Sequence, residues 1–116
     1  MPRTASAPAR AEPPAVVEAR LALGRQLAAL RRAAGHSQHS FAGLLLYGRS
    51  TLANVETGRQ NVPREFWRRC DAVLGTGGRL EVGFGMLLDL RARALSADAD
   101  AAAGRLRRAV APGSWR

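Results

Sequence analysis

Lysine is absent from this sequence: all eighteen cationic side chains are arginine, set against nine acidic ones for a formal net charge of +9. Cysteine occurs once, as Cys70, which excludes an internal disulfide and makes a reducing compartment the simplest expectation. No apolar run approaches the roughly 18 residues of a membrane span. Residues 1–14 also lack the apolar core of a signal peptide, so a soluble, cytoplasmic protein is expected. No internal repeat and no convincing strand pattern is present. The 116 residues suffice for one domain of roughly 70 to 80 residues with tails, which excludes a large enzyme.

An excess of positive charge favours polyanionic partners, nucleic acid or an acidic membrane surface. A GC-rich coding sequence alone would also replace lysine by arginine, so the positions of the arginines must decide. Residues 18–34 hold four arginines and one glutamate, residues 35–69 five arginines and two glutamates, and residues 70–95 three of each sign. The charge therefore sits in the first two thirds of the pattern described next.

Residues 1–15 are mostly Ala, Pro, Arg and Ser, with nothing large to bury, and are expected to be a disordered tail. From Val16 the pattern turns helical: Val16, Leu23, Leu27, Leu30 and Ala34 share one face, and Gly35 suits the helix end. Ser37 fits the N-cap of a second helix carrying Phe41, Ala42 and Leu45 inward. Gly48 is expected to break that helix by a positive φ or a tight approach, before a third short helix with Leu52 and Val55 inward and Gly58 at its end. Pro63 opens a fourth, with Phe66, Trp67, Cys70, Val73 and Leu74 as its apolar stripe, closed by Gly75-Thr76-Gly77-Gly78. A fifth runs from about Arg79 to Leu95 with Leu80, Phe84, Leu87 and Leu88 on one side, weakened early by Gly83 and Gly85. The domain is thus placed at residues 16–95. Residues 96–116 are expected to be a flexible or weakly helical tail with only Leu106, Val110 and Trp115 to bury.

Two short helices joined by a tight turn and buried against a longer first helix make a helix-turn-helix unit. Its outward face is chemically apt: Arg49, Ser50, Thr51 and Asn54 occupy the first turns of the third helix. Arginine bonds guanine bidentately, asparagine adenine, and small hydroxyls a base edge or a phosphate.

Gly35-His36-Ser37-Gln38, Phe41-Ala42, Arg49-Ser50-Thr51-Leu52 and Val55-Glu56-Thr57-Gly58-Arg59, with Pro63 soon after, resemble the Xre/Cro-like helix-turn-helix regulators of bacteria, in particular small ones from high-GC species. The resemblance runs over residues 23–74 and implies an all-α, five-helix, lambda-repressor-like DNA-binding domain. Carried onto this chain, it makes Arg49, Ser50 and Asn54 the base readers and Thr51 a contact to base or backbone. Gln38 becomes a phosphate anchor at a helix N-terminus, where free amides and the helix dipole favour an anion. Arg59 and Asn61 become contacts to the flanking backbone, and Glu56 a structural partner of Arg31. The sequence departs from the pattern at His39-Ser40, where an acidic pair is usual, at an extra residue between Asn61 and Pro63, and at Leu46, where a small residue is usual. The bulk of Leu46 is expected to pack against the fifth helix.

The expected function is sequence-specific binding of double-stranded DNA by a small transcriptional regulator, without cofactor, metal or catalysis. His36 and His39 lack an acidic or thiol companion for a metal, and the glycines of residues 75–78 lack the Lys-Ser/Thr of a phosphate-binding loop. Cys70 sits on an apolar stripe, as a buried thiol does. A homodimer through the fifth helix is expected, with Leu80, Phe84, Leu87 and Leu88 offering an apolar edge between nearly uncharged surfaces. The alternative is an antitoxin or protein-interaction module on the same fold, its tail, ending Gly113-Ser114-Trp115-Arg116, binding a partner protein. Membrane-surface binding is disfavoured, because Arg105, Arg107 and Arg108 are backed by too few hydrophobes.

Overall fold

Pro14, whose fixed φ suits a first helical turn, starts helix α1 two residues before the apolar pattern does. The computed structural model describes residues 12–109 as five helices with no strand among them: α1 (Pro14–Ala33), α2 (Gln38–Leu45), α3 (Arg49–Glu56), α4 (Arg64–Leu74) and α5 (Arg79–Ala109). The all-α expectation holds. Residues 1–11 and 110–116 lie outside the described residues, and with them most of the expected N-terminal tail, Val110 and the Trp115 of the antitoxin reading.

Val16, Leu23 and Leu27 of α1 face a core completed by Phe41 and Leu45 of α2, Leu52 and Val55 of α3, Phe66, Trp67 and Cys70 of α4, and Leu80 and Leu87 of α5. Helices of eight residues are marginal alone, so α2 and α3 owe their order to this shared burial. Gly24 sets the distance between α1 and α3. A Cβ built there would lie 2.5 Å from the Val55 carbonyl oxygen and 2.7 Å from that of Glu56, so only glycine lets the two backbones meet.

The turn between α2 and α3 differs from expectation. Ser37 caps α2 by accepting from the Ser40 amide at 3.0 Å, but the left-handed residue is Leu46, with φ 63°, not Gly48, with φ −73°. Leu46 is 81% exposed and packs against nothing on α5. The reason is the end of α2: a left-handed residue lets the Leu46 and Tyr47 amides return to Gly43 and Ala42 carbonyls at 3.2 and 3.0 Å, and this reversal turns Tyr47 inward instead. Tyr47 meets Phe66 edge-on, with ring centroids 5.0 Å apart. Arg69 of α4 locks the same end, donating to the Leu45 carbonyl at 2.9 Å beneath the Tyr47 ring.

On α4, Phe66, Trp67 and Cys70 are buried, whereas Val73 lies at the surface. Asp71, next to Cys70, is instead a buried carboxylate. Asp71 Oδ1 accepts from the Leu80 amide and Oδ2 from the Glu81 amide, each at 2.9 Å, and the Thr76 hydroxyl donates to Oδ1 as well. One side chain of α4 thereby satisfies the orphan amides at the start of α5 and fixes the angle between the two helices. Phe84 then stacks on Trp67.

Helix α5 does not stop at Leu95. It continues unbroken to Ala109, 31 residues in all, because the alanines of residues 97–103 have the highest helix propensity available. Leu80 and Leu87, expected at the edge of a dimer surface, are spent inside the bundle, and Phe84 is half-buried there; Leu88 alone of that set is exposed.

Asp71→Ala should strand two amides of α5 and lower stability by about 2 kcal/mol, read as a lower melting temperature with an unchanged helical circular dichroism signal before the transition. Burial pushes the Cys70 thiol up to about 12, with Asp71 adding to the shift. A thiol reagent at pH 8 should therefore label Cys70 only in denaturant; rapid labelling of the native protein would contradict the packing of α4.

Candidate nucleic-acid interface

An arginine in the last turn of α1 and a glutamate at the end of α3 meet across the helix contact that Gly24 allows two turns earlier on α1. Arg31 Nε donates to Glu56 Oε2 at 2.6 Å and Arg31 Nη2 to Glu56 Oε1 at 3.1 Å, a bidentate pair with both side chains buried. The remaining arm, Arg31 Nη1, donates to the His36 carbonyl at 2.8 Å and so ties the turn between α1 and α2 to the same centre.

The pair does not end there. Gln38, the first residue of α2, donates from Nε2 to Glu56 Oε1 at 2.9 Å and accepts at Oε1 from Arg49 Nη1 at 3.0 Å. A continuous hydrogen-bonded relay thus runs from Arg31 through Glu56 and Gln38 to Arg49, from the core to the first residue of α3. Gln38 spends its side-chain oxygen on positioning Arg49, while one of its two amide hydrogens stays free for an outside acceptor.

Arg49 and Ser50 are exposed, and Thr51 and Asn54 are half-buried along the same helix. Asn54 Nδ2 lies 3.4 Å from Gln60 Oε1, and the Arg59 amide donates to the Asn54 carbonyl at 2.8 Å. The loop after α3 is therefore folded back onto the helix it leaves. Arg20 of α1 anchors it from behind, donating from Nε to the Gly58 carbonyl at 3.0 Å while its Nη1 pairs with Glu12 at 2.6 Å. Arg59 and Asn61 stand exposed on this loop.

Arg25 and Arg32 border a shallow groove together with Gln38, Glu56 and Thr57, so two more guanidiniums flank the start of α2. Of the expected site residues, Gln38, Arg49, Arg31 and Glu56 form one connected unit. Ser50, Thr51 and Asn54 share the α3 surface, and Arg59 and Asn61 lie on the loop beyond. Gln60, Arg20 and the Arg25/Arg32 pair were not singled out in the sequence. The spacing of Arg25 and Arg32 along α1 does not show that Gln38 lies beside them, and the contacts of Gln60 and Arg20 arise only from the path of the loop. Among the described residues, no group of three His, Cys, Asp or Glu side chains gathers into a metal site, and no helix is long and apolar enough to cross a membrane.

Glu56→Ala should leave the Arg31 guanidinium buried and unpaired, at a cost of about 3 kcal/mol or more. Arg31→Ala should cost a similar amount. A double-mutant cycle read by thermal melting should give a large coupling, and additive losses would show that the pair contributes nothing.

No curated protein and no solved structure matches the chain. The family model described as a helix-turn-helix domain matches residues 22–82, from the first half of α1 to the first turn of α5. That span takes in the buried pair, the relay to Arg49 and the exposed surface of α3, and on it the chain belongs to the helix-turn-helix domain family.

Proposed function

We propose that the protein is a small transcriptional regulator that binds double-stranded DNA at a preferred sequence, with α3 in the major groove. The observation that carries this reading is the relay that holds Arg49 at the first position of an exposed helix. With its Nη1 held by Gln38, the Arg49 guanidinium is already oriented and still has Nε and Nη2 to offer a guanine at little entropic cost. Ser50 and Asn54 supply further base contacts and Thr51 a base or backbone contact.

Around this reader the backbone contacts form a ring. The free amide hydrogen of Gln38 and the first amides of α2 suit one phosphate. Arg59 and Asn61 reach the strand beyond α3, and Arg25 and Arg32 extend the positive surface on the other side. Glu56 does not repel the duplex, because Arg31 neutralises it. Such contacts position the protein without reading sequence.

Selection of bound sequences from a random duplex pool should yield a defined motif. Against that motif, Arg49→Ala and Asn54→Ala should each lose about 1 to 3 kcal/mol and relax preference at one or two base positions. Arg59→Ala should weaken binding to all duplexes alike and flatten the salt dependence by roughly one counterion. Enrichment of no motif, with equal affinity for scrambled DNA, would refute sequence-specific recognition.

A further inference from the structure

Beyond the bundle, α5 carries a second apolar stripe that the fold does not use. Leu88, Ala92, Leu95, Ala99, Ala102 and Leu106 follow one another at alternating steps of four and three, the spacing of a helix that packs against another helix along its length. All are exposed, Leu95 by 63% and Leu106 by 64%, and Ala109 closes the series. Leu80 and Leu87 are buried in the core, whereas Leu95 only borders the bundle, beside Glu12, Pro13 and Val16, and stays largely exposed.

We propose that this stripe pairs with the same stripe of a second copy of the chain, the two α5 helices running antiparallel about a two-fold axis. The apolar residues match in that orientation, and the charges match in that orientation alone. With Ala99 opposite the partner's Ala102, Leu95 falls against the partner's Leu106, and the symmetry repeats both contacts. The small central residues let the helices approach closely, and the leucines close the layers on either side. The charges follow the same register. Asp98 and Arg105 sit on one edge of the stripe, each just before a stripe residue and seven residues apart, roughly 10 Å along the helix and too far to pair within one chain. In the antiparallel register Asp98 lies beside the partner's Arg105, twice over. A parallel arrangement sets Asp98 beside the partner's Ala103 and gains no ion pair.

The expectation from sequence placed a dimer on Leu80, Phe84, Leu87 and Leu88; the bundle takes up the first three, and the proposed surface keeps Leu88 and moves outward along the same helix. Two chains joined in this way hold their bundles roughly 40 Å apart, near the roughly 34 Å between successive major grooves on one side of a duplex. That consequence rests on the DNA-binding reading, whereas the pairing itself does not.

The test is the oligomeric state of the full chain without DNA, by sedimentation over a micromolar concentration series, with melting curves to show that each variant folds. The wild type should be a dimer. Leu95→Asp should be monomeric, and Asp98→Arg and Arg105→Asp should each weaken dimerisation about tenfold or more. The double variant D98R/R105D should restore it, because the swapped charges meet again across the axis. A monomer throughout the series, a dimer unaffected by the single reversals, or a double reversal that fails to recover would each overturn the antiparallel pairing. DNA binding by a monomeric Leu95→Asp variant would leave the recognition reading standing on its own.

Discussion

A carboxylate removed from water, as Glu56 is, needs an opposite charge held in fixed geometry. Arg31 supplies that charge across the contact of α1 and α3, and the rest of the recognition surface is built outward from it. Gly24, two turns before Arg31, lets the helices close to backbone contact, and across that contact the pair is short and bidentate. A side chain at that position would open the interface seven residues away from the ions. Glycine is a poor helix former, and here its cost in propensity is offset by what the contact allows. Burying an ion pair contributes less to stability than an apolar core of the same size, but losing either partner is severe. The arrangement therefore enforces one relative placement of α1, α2 and α3 more than it adds to their stability.

The fold was legible in the sequence where burial repeats with helical period. Leu23 and Leu27, Phe41 and Leu45, Leu52 and Val55, and Phe66 with Trp67 and Cys70 all point inward at the expected spacing. Periodicity also marks which residues of α3 face outward. It carries no information about polar contacts between helices. Asp71 reads as one more surface aspartate until the start of α5 arrives nine residues later to claim both its oxygens. Gln60 and Arg20 act through a loop whose course no pattern announces. Local composition also misled at two points. Gly48 was the natural candidate for a left-handed residue, yet the geometry of the α2 terminus assigned that conformation to Leu46. The alanines after Leu95 offered little to bury, yet propensity alone carries α5 through them.

Two kinds of surface result, with different chemistry. The face made by α2, α3 and the loop after it is polar, arginine-rich and held rigid by side-chain hydrogen bonds. The distal half of α5 is nearly neutral and carries apolar residues in a regular series. In the proposed dimer, separating them along one elongated chain would keep the positive charge of one copy away from that of the other and leave both proposed DNA-binding faces open. The buried Asp71 contributes to this separation, since it fixes the direction in which α5 leaves the bundle.

Gln38 stands between the core and the exposed Arg49, and its position has an evolutionary consequence. The residue at position 49 touches the buried ions only through a neutral amide, which can accept from other donors as readily as from a guanidinium. Exchanging Arg49 for a glutamine, an asparagine or a lysine would change what is presented outward without exposing or unpairing Glu56. Under the proposed function, new binding preferences would arise by substitution at one surface position while the folded scaffold is inherited intact.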